Sequence, residues 1–204
     1  MLPFIADMPP LEQERVVCSI SAAAKYEVPA NIVLAVAEKE SGKPGQWVKN
    51  SNGTHDVGFM QFNTAYLRDL KKYGITAEHV AASGCYPFDL AAWRLRGHIL
   101  KDSGDLWTRA ANYHSRTPKY NQIYRADLMK KAIKWADWLD ENFTTVDVTA
   151  QGGKTPSDSN KMRKVLEEAA KIEVKYNRSE RQEKKGTVNA LKAKGYVPRT
   201  ISFN

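Results

Sequence analysis

The sequence contains no long apolar run, and its first residues lack the features of a secretory signal. No window approaches the roughly 18–20 uninterrupted apolar residues that a membrane-spanning helix requires, so no membrane span is predicted. Residues 1–7 have neither a basic start nor an apolar core. Either the chain is not secreted by the signal-dependent route, or a signal has already been removed from it.

Cysteine is also scarce. The two cysteines, Cys18 and Cys85, have no neighbouring Cys or His at the spacing of metal ligands, which argues against a zinc site, and no metal centre is predicted. From the residues alone, the two cysteines fit either one disulfide or two reduced thiols in the core.

Excess positive charge is missing from most of the chain and concentrated at its end. Of the net charge of +8, residues 154–204 supply most, with 13 Lys and Arg against 6 Asp and Glu, whereas residues 1–153 carry 18 against 17. The body is therefore nearly neutral and the extension is basic. A solvated helix without a partner and a docking element both fit such an extension. Nucleic acid is an unlikely partner, because aromatic residues are sparse there and no base-reading motif is present.

Apolar periodicity and helix-capping signals predict a mainly helical domain. Helices are predicted over residues 11–26, 29–41, 63–74, 76–84, 86–101, 105–113 and 119–142. In the helix over residues 86–101, a stripe is expected to face the core, formed by Leu90, Trp93, Leu95, Ile99 and Leu100. Between residues 46 and 62, Asn52-Gly53 separates two short apolar runs, which is typical of a small β-hairpin.

Composition divides the chain into three parts. Residues 1–146 form the predicted domain, residues 147–158 a linker containing Gly152, Gly153 and Pro156, and residues 159–204 a basic helical extension. The length is sufficient for one globular domain and an appendage.

Glu40 is a carboxylate at the end of an otherwise apolar helix. Val36 lies one turn earlier on the same face. Loss of hydration on that face, together with the negative end of the helix dipole, predicts a raised pKa for Glu40, which suits a proton donor acting near neutral pH. Glu38, rotated by about 200° around the helix, is expected to be solvated. The alternative for Glu40 is a surface residue that pairs with Lys39 or Lys43.

Three motifs follow one another along the predicted domain. They are Glu40-Ser41-Gly42, Gly58-Phe59-Met60-Gln61 and Ala110-Ala111-Asn112-Tyr113-His114-Ser115. Over about residues 10–140 they resemble the motifs of lytic transglycosylases, the lysozyme-like enzymes that cut peptidoglycan. The insert at residues 50–57 and the Thr117-Pro118 pair resemble the specialised branch that accompanies conjugation, type IV pilus and secretion systems. The resemblance implies a lysozyme-like α+β domain.

The resemblance also implies a role for each matched residue. Glu40 would be the single catalytic acid and then the base. The implied substrate-binding and supporting residues are Ser41 at the helix end, Gln61 and Asn63 along the sugar subsites, Tyr113 hydrogen-bonding to or orienting Glu40, and Tyr124 at the floor of the cleft. His114 stands where the family commonly has Asn, and it is interpreted as a solvated residue or a substrate contact.

Cys18 and Cys85 match positions that are disulfide-bonded in many members of that branch. The resemblance therefore implies a bridge between them and an oxidising compartment, either the periplasm or the cell envelope. Peptidoglycan strands would be the substrate, with subunits of a secretion or conjugation apparatus as partners of the basic extension.

The mechanism implied by the resemblance needs one carboxylate and no metal or cofactor. The bond between N-acetylmuramic acid (MurNAc) and N-acetylglucosamine (GlcNAc) would be cut with formation of a 1,6-anhydro ring. Two alternatives remain open at this stage. The first is a lysozyme-type hydrolase that uses water and a second carboxylate, for which Asp56 is the candidate. The second is a non-catalytic component that uses the cleft only for binding.

Overall fold

A computed structural model describes residues 2–147 and 199–200 of the chain. Within them, seven α-helices account for most of the structure: α1 (Pro10–Lys25), α2 (Ala30–Glu40), α3 (Thr64–Leu70), α4 (Ala77–Ala81), α5 (Tyr86–Lys101), α6 (Leu106–Ala111) and α7 (Pro118–Asn142). Short 3₁₀ segments add Ile5–Asp7 and Lys71–Tyr73. The predicted mainly helical domain is confirmed. Nearly all of the predicted linker and of the predicted basic helical extension lies outside the described residues. The exceptions, Asp147 and residues 199–200, form β-strand rather than linker and helix.

Polar side chains fix the starts of several helices, as their capping signals predicted. The Oδ1 atom of Asn63 accepts a hydrogen bond from a backbone N–H in the first turn of α3, at 2.9 Å. Thr76 caps α4 in the same way at 3.4 Å, and Asp105 caps α6 at 2.7 Å. Each cap satisfies an N–H group that the helix itself leaves without a partner.

The β element has three strands, one more than the predicted hairpin. Its strands are β1 (Trp47–Lys49), β2 (His55–Val57) and β3 (Phe62–Asn63), paired antiparallel in that order. The turn between β1 and β2 contains Gly53 at φ 81°, a left-handed conformation that glycine adopts at little cost. Because side chains alternate along a strand, Val57 of β2 is buried in the core while Asp56 lies on the opposite face.

Helix α2 is the centre of the domain. It packs against α1, α5 and α7, and its residues 30–37 are all buried. Its last three residues are only partly covered. The fold therefore exposes this central helix at the turn that carries Glu40.

The core-facing stripe predicted for α5 is wrong at two positions. Trp93 and Leu100 are 45% and 61% exposed, whereas Leu95 is fully buried. The buried stripe is narrower than predicted. Trp93 and Leu100 lie seven residues apart on the exposed face of α5, opposite the buried residues Phe88 and Ala91.

A disulfide joins Cys18 in α1 to Cys85, directly before α5. This is the pairing that the resemblance implied, and it replaces the alternative of two reduced thiols. The bridge holds the start of α5 against α1, and a salt bridge between Lys25 Nζ and Asp89 Oδ2, 2.5 Å long, lies on the same helix pair.

The long helix α7 has one buried and one exposed face. Leu128, Trp135 and Leu139 are buried, whereas Tyr120 and Ile123 near its start are 53% and 64% exposed. No helix of the described residues is both long and apolar enough to cross a membrane.

A second, two-stranded sheet lies at the end of the domain. The strand β4 (Val146–Asp147) pairs antiparallel with β5 (Arg199–Thr200), and β5 also contacts α2. The backbone near the end of the sequence therefore returns to the domain.

Candidate active site

Glu40 is the last residue of α2, where the chain turns sharply. Ser41 adopts a left-handed conformation at φ 51°, and its N–H donates to the Ala37 carbonyl at 3.1 Å. The helix therefore ends at Glu40, and Ser41 is its left-handed cap. This places the Glu40 side chain in a surface pocket, which is lined by Lys39, Glu40, His114, Tyr120, Ile123 and Tyr124.

Tyr124 is the hydrogen-bond partner of Glu40. Its hydroxyl donates to Glu40 Oε1 at 2.6 Å. The hydrogen bond predicted from Tyr113 to Glu40 is therefore wrong: the Tyr113 hydroxyl donates to the Met60 carbonyl at 2.9 Å instead. The reason lies in the packing, because α7 runs along α2 and brings Tyr124 opposite the last turn of α2.

Burial raises the pKa of Glu40 to about 7, the direction that the sequence predicted. The hydrogen bond from Tyr124 and the positive charges of Lys39 and Arg94 lower this pKa, whereas the negative charge of Asp56 raises it further. Lys39 itself pairs with Asp127 at 2.6 Å. Glu40 is therefore a perturbed carboxyl in a pocket and not the surface partner of Lys39.

Glu38 was expected to be solvated, and this expectation is wrong. Its carboxylate accepts a hydrogen bond from Trp135 Nε1 at 2.7 Å and pairs with Lys134 at 2.5 Å and Lys131 at 3.5 Å. These partners all lie on α7, which packs over the face of α2 that the apolar periodicity predicted to be exposed to solvent. Burial acts to raise the pKa of Glu38, but the two lysines outweigh it and the pKa is lowered, opposite to that of Glu40.

Two glycines let the end of α2 pass directly against the second motif. A Cβ at Gly42 would lie 2.0 Å from the Gly58 carbonyl oxygen, and a Cβ at Gly58 would lie 2.1 Å from that of Val80. The Gly42 N–H donates to the Phe59 carbonyl at 3.1 Å. Gln61, at φ 47°, donates from Nε2 to the Gly58 carbonyl at 2.8 Å. The first and second motifs are therefore in direct backbone contact.

Replacing Gly42 with alanine is expected to lower the free energy of unfolding by about 2–3 kcal/mol, because the added methyl group meets a backbone oxygen that no rotamer change can move. Urea denaturation measures this loss. The matched control is Gly97→Ala in α5, where an added Cβ meets nothing within 4 Å. Equal stability of the two variants would contradict the close approach.

Asn63 holds Asp56 in place. Its Nδ2 donates to Asp56 Oδ1 at 2.9 Å and to Thr54 Oγ1 at 2.9 Å, while its Oδ1 caps α3. Both N–H groups of the side chain are thus engaged within the protein. The substrate contacts of Asn63, Gln61 and Ser41 stay predictions.

His114 packs against the tyrosine that binds Glu40. The two rings are parallel within 4°, with centroids 4.9 Å apart, and Lys39 Nζ lies 5.1 Å from the Tyr124 ring centroid. Burial and the charge of Lys39 lower the pKa of His114. One face of the exposed His114 ring therefore packs against Tyr124 beside the site, and a substrate contact for His114 stays a prediction.

Arg94 is the residue of this site that sequence reasoning missed. Its guanidinium carbon lies 4.2 Å from the ring centroid of Tyr66 and 4.7 Å from that of Tyr113, and its charge lowers the pKa of Glu40. Arg94 belongs to none of the three motifs and lies in the middle of α5. No local signal marks it, since only the packing of α5 brings it near Glu40.

The described part of the chain contains no group of three or more His, Cys, Asp or Glu side chains placed to hold a metal ion. The titratable groups that surround Glu40 are instead Tyr124, Lys39, Arg94 and Asp56. The first three favour the charged form of Glu40 and only Asp56 opposes it, so the raised pKa of Glu40 comes chiefly from burial.

Known proteins match the stretch of chain that contains this site. The transglycosylase SLT domain family matches residues 17–135, a range that includes all three motifs and Tyr124. The chain is similar to the invasion protein IagB of Salmonella typhimurium, with 29% identity over 119 residues, which are 57% of this chain and 71% of IagB. It is also similar to protein IpgF of Shigella flexneri, with 29% identity over 130 residues, 61% of this chain and 85% of IpgF.

The members of this family are lysozyme-like lytic transglycosylases, so the predicted fold class is confirmed and peptidoglycan is the implied substrate class. The family model covers more than half of the chain, from α1 into α7. The chain therefore belongs to the transglycosylase SLT domain family, as its three motifs predicted.

Proposed function

We propose that this protein is a lytic transglycosylase that cuts the bond between MurNAc and GlcNAc in peptidoglycan strands. The observation that carries the proposal is Glu40, a carboxyl in a surface pocket with a pKa of about 7 and a hydrogen bond from Tyr124. A group with this pKa is present in both protonation states near neutral pH. It therefore suits a reaction in which one residue donates a proton and later accepts one.

In the first step, protonated Glu40 donates its proton to the glycosidic oxygen as the bond to C1 of MurNAc breaks. The 2-acetamido group of the same sugar stabilises the positive charge at C1. In the second step, the Glu40 carboxylate takes the proton of the C6 hydroxyl, whose oxygen bonds to C1 and closes the 1,6-anhydro ring. The Tyr124 hydroxyl donates to the carboxylate formed between the two steps.

The setting in which the reaction takes place is also a proposal. The disulfide between Cys18 and Cys85 supports an oxidising compartment, either the periplasm or the cell envelope. A similar protein is named an invasion protein, and the insert at residues 50–57 resembles the secretion-associated branch. Both support local opening of the cell wall for a secretion or conjugation apparatus. Docking through the basic extension stays a prediction.

Mass spectrometry of the fragments released from purified sacculi tests the reaction. The expected products end in 1,6-anhydroMurNAc, which is one water lighter than the reducing sugar that hydrolysis leaves. Products with reducing ends would replace this proposal with a hydrolase, and release of no fragments would leave the binding component as the function.

Hydrolysis is the second candidate, because Asp56 lies on β2 and its charge raises the pKa of Glu40. Most glycosidases use two carboxyl groups, one on each side of the glycosidic bond. Asp56→Asn separates the two functions: a transglycosylase is expected to keep forming anhydro products, whereas a hydrolase that depends on Asp56 is expected to lose its reducing-end products.

Tyr124→Phe is expected to lower kcat/KM by about 10- to 100-fold, because Glu40 loses a hydrogen bond to its charged form. That hydrogen bond lowers the pKa of Glu40, so its loss raises the pKa further. Since Glu40 must be protonated in the first step, the alkaline limb of the pH–rate profile is expected to move to higher pH. An unshifted limb would contradict the contact, and exposed Tyr73→Phe is the matched control.

A further inference from the structure

Arg94 is held by aromatic rings rather than by a negatively charged partner. Its guanidinium packs on Tyr66 and Tyr113 at 4.2 and 4.7 Å from the ring centroids. Both rings are themselves fixed, since the Tyr113 hydroxyl donates to the Met60 carbonyl and Tyr66 stacks on Phe62 with centroids 6.1 Å apart. The cation is therefore pre-positioned, and little side-chain freedom remains to be lost when a ligand binds.

The guanidinium has no hydrogen-bond or ion-pair partner within residues 2–147 and 199–200. The neighbouring arginines do have partners: Arg96 pairs with Glu27, Arg109 with the Ile99 carbonyl, Arg116 with Asp102 and Arg125 with Asp105. Arg94 is half-buried, yet none of its nitrogen atoms is sealed from solvent. Its planar set of N–H donors is thus open to a ligand, and this set matches the two oxygens of a carboxylate.

The unpaired cation lies in the same electrostatic environment as the proposed acid. The charge of Arg94 lowers the pKa of Glu40 and also that of His114, which lines the pocket. Tyr113, on which Arg94 packs, also hydrogen-bonds to Met60 of the second motif, so an anion bound at Arg94 would lie beside the motif that contacts the end of α2.

We propose that Arg94 is a specificity-determining residue that binds a carboxylate of the peptidoglycan strand while the glycosidic bond lies at Glu40. This inference rests on the proposed function, because it assumes that the strand enters this cleft. Peptidoglycan offers a carboxylate in two places: on the lactyl group of a MurNAc from which the peptide has been removed, and on the peptide itself. A chitin oligosaccharide has the same β-1,4 backbone and no carboxylate.

Binding of the carboxylate has a consequence for Glu40. Free Arg94 lowers the pKa of Glu40, and a bound anion cancels part of that positive field. The pKa of Glu40 therefore rises when a charged strand binds, which favours the protonated form that the first step needs. A neutral strand lacks this effect.

Calorimetric titration of the full chain tests the proposal, with Glu40→Gln present so that no strand is cut. Three probes of equal length are compared: chitohexaose, a peptide-free glycan with free lactyl carboxylates, and the same glycan carrying its peptides. Arg94→Gln is expected to leave the Kd of chitohexaose unchanged and to raise the Kd of a carboxylate-bearing glycan by about tenfold. The probe that loses affinity identifies the source of the carboxylate.

The matched control is Arg96→Gln, two residues further along α5, where the arginine pairs with Glu27 at the surface. It is expected to change none of the three affinities. Arg94→Lys keeps the charge without the planar donors and is expected to recover part of the loss. Thermal unfolding of each variant shows whether the fold is retained.

Equal loss of affinity for all three probes would mean that Arg94 only supports the cleft, and it would overturn the proposal. Unchanged affinity for all three would overturn it too, as would a parent protein that binds no charged glycan. The proposed function is judged separately, from the anhydro ends that the wild-type protein releases from sacculi.

Discussion

Glu40→Gln is expected to lower the rate of peptidoglycan cleavage by at least about 10³-fold, because in the proposed mechanism one side chain serves as both acid and base. Glutamine keeps the shape of the side chain and still accepts a hydrogen bond from Tyr124, but it can neither donate nor take up the proton. Release of soluble muropeptides from sacculi measures the loss. Lys43→Gln, in the loop after α2, is the matched control and is expected to retain activity. Full activity of Glu40→Gln would rule out the proposed mechanism.

The same variant is expected to be more stable than the wild-type protein at alkaline pH. The pKa of Glu40 is about 7 in the folded protein against an ordinary value of 4.5. The stability contributed by the protonated carboxyl is therefore complete below about pH 4.5 and lost as the pH rises through 7. Well above pH 7 the charged carboxyl is expected to cost on the order of 3 kcal/mol, which glutamine avoids.

Thermal unfolding at pH 5 and pH 8 measures this difference. The gap in Tm between Glu40→Gln and the wild-type protein is expected to widen at the higher pH, since glutamine does not titrate. A gap that stays constant with pH would contradict the raised pKa. The measurement also establishes that the inactive variant is folded.

Loss of the disulfide is expected to lower the free energy of unfolding by about 4 kcal/mol, because the bridge closes a loop between residues 67 positions apart and so restricts the unfolded chain. For a domain of this size, that corresponds to a fall in Tm of roughly 10–15 °C. The double variant Cys18→Ala, Cys85→Ala shows the effect in urea denaturation. Reducing agent is expected to lower the stability of the wild-type protein to a similar level.

The control for this experiment is the double variant treated with the same reducing agent, which is expected to show no further change. An unchanged Tm in the double variant would contradict the stabilising role of the bridge. Since both cysteines lie away from the pocket residues, the catalytic rate of protein that remains folded is expected to be retained.

The sequence predicted Glu40 and the direction of its pKa shift because both depend on local structure. One helix with an apolar face and a stop at Gly42 is enough to bury a carboxyl in a last turn. The same reasoning placed Glu38 in solvent, and there it failed. The partners of Glu38 come from α7, more than 90 positions away, and the periodicity of α2 contains no information about them.

The hydrogen bond to Glu40, predicted for Tyr113 and made by Tyr124, has the same cause. The three motifs can be recognised in the sequence. Which tyrosine hydroxyl reaches Glu40, however, depends on how α7 packs against α2. Arg94 is a stronger example, since its position depends on where α5 packs and no motif includes it. Local structure was therefore predictable, whereas contacts between distant helices had to come from the fold.

The pairing of β4 with β5 changes how the basic part of the chain can be handled. Asp147 lies opposite Arg199 in the antiparallel register, so the two described positions that flank residues 148–198 lie side by side. A two-residue Asn-Gly turn between these positions would keep the strand pair and delete residues 148–198. The described domain can in this way be prepared without the basic stretch.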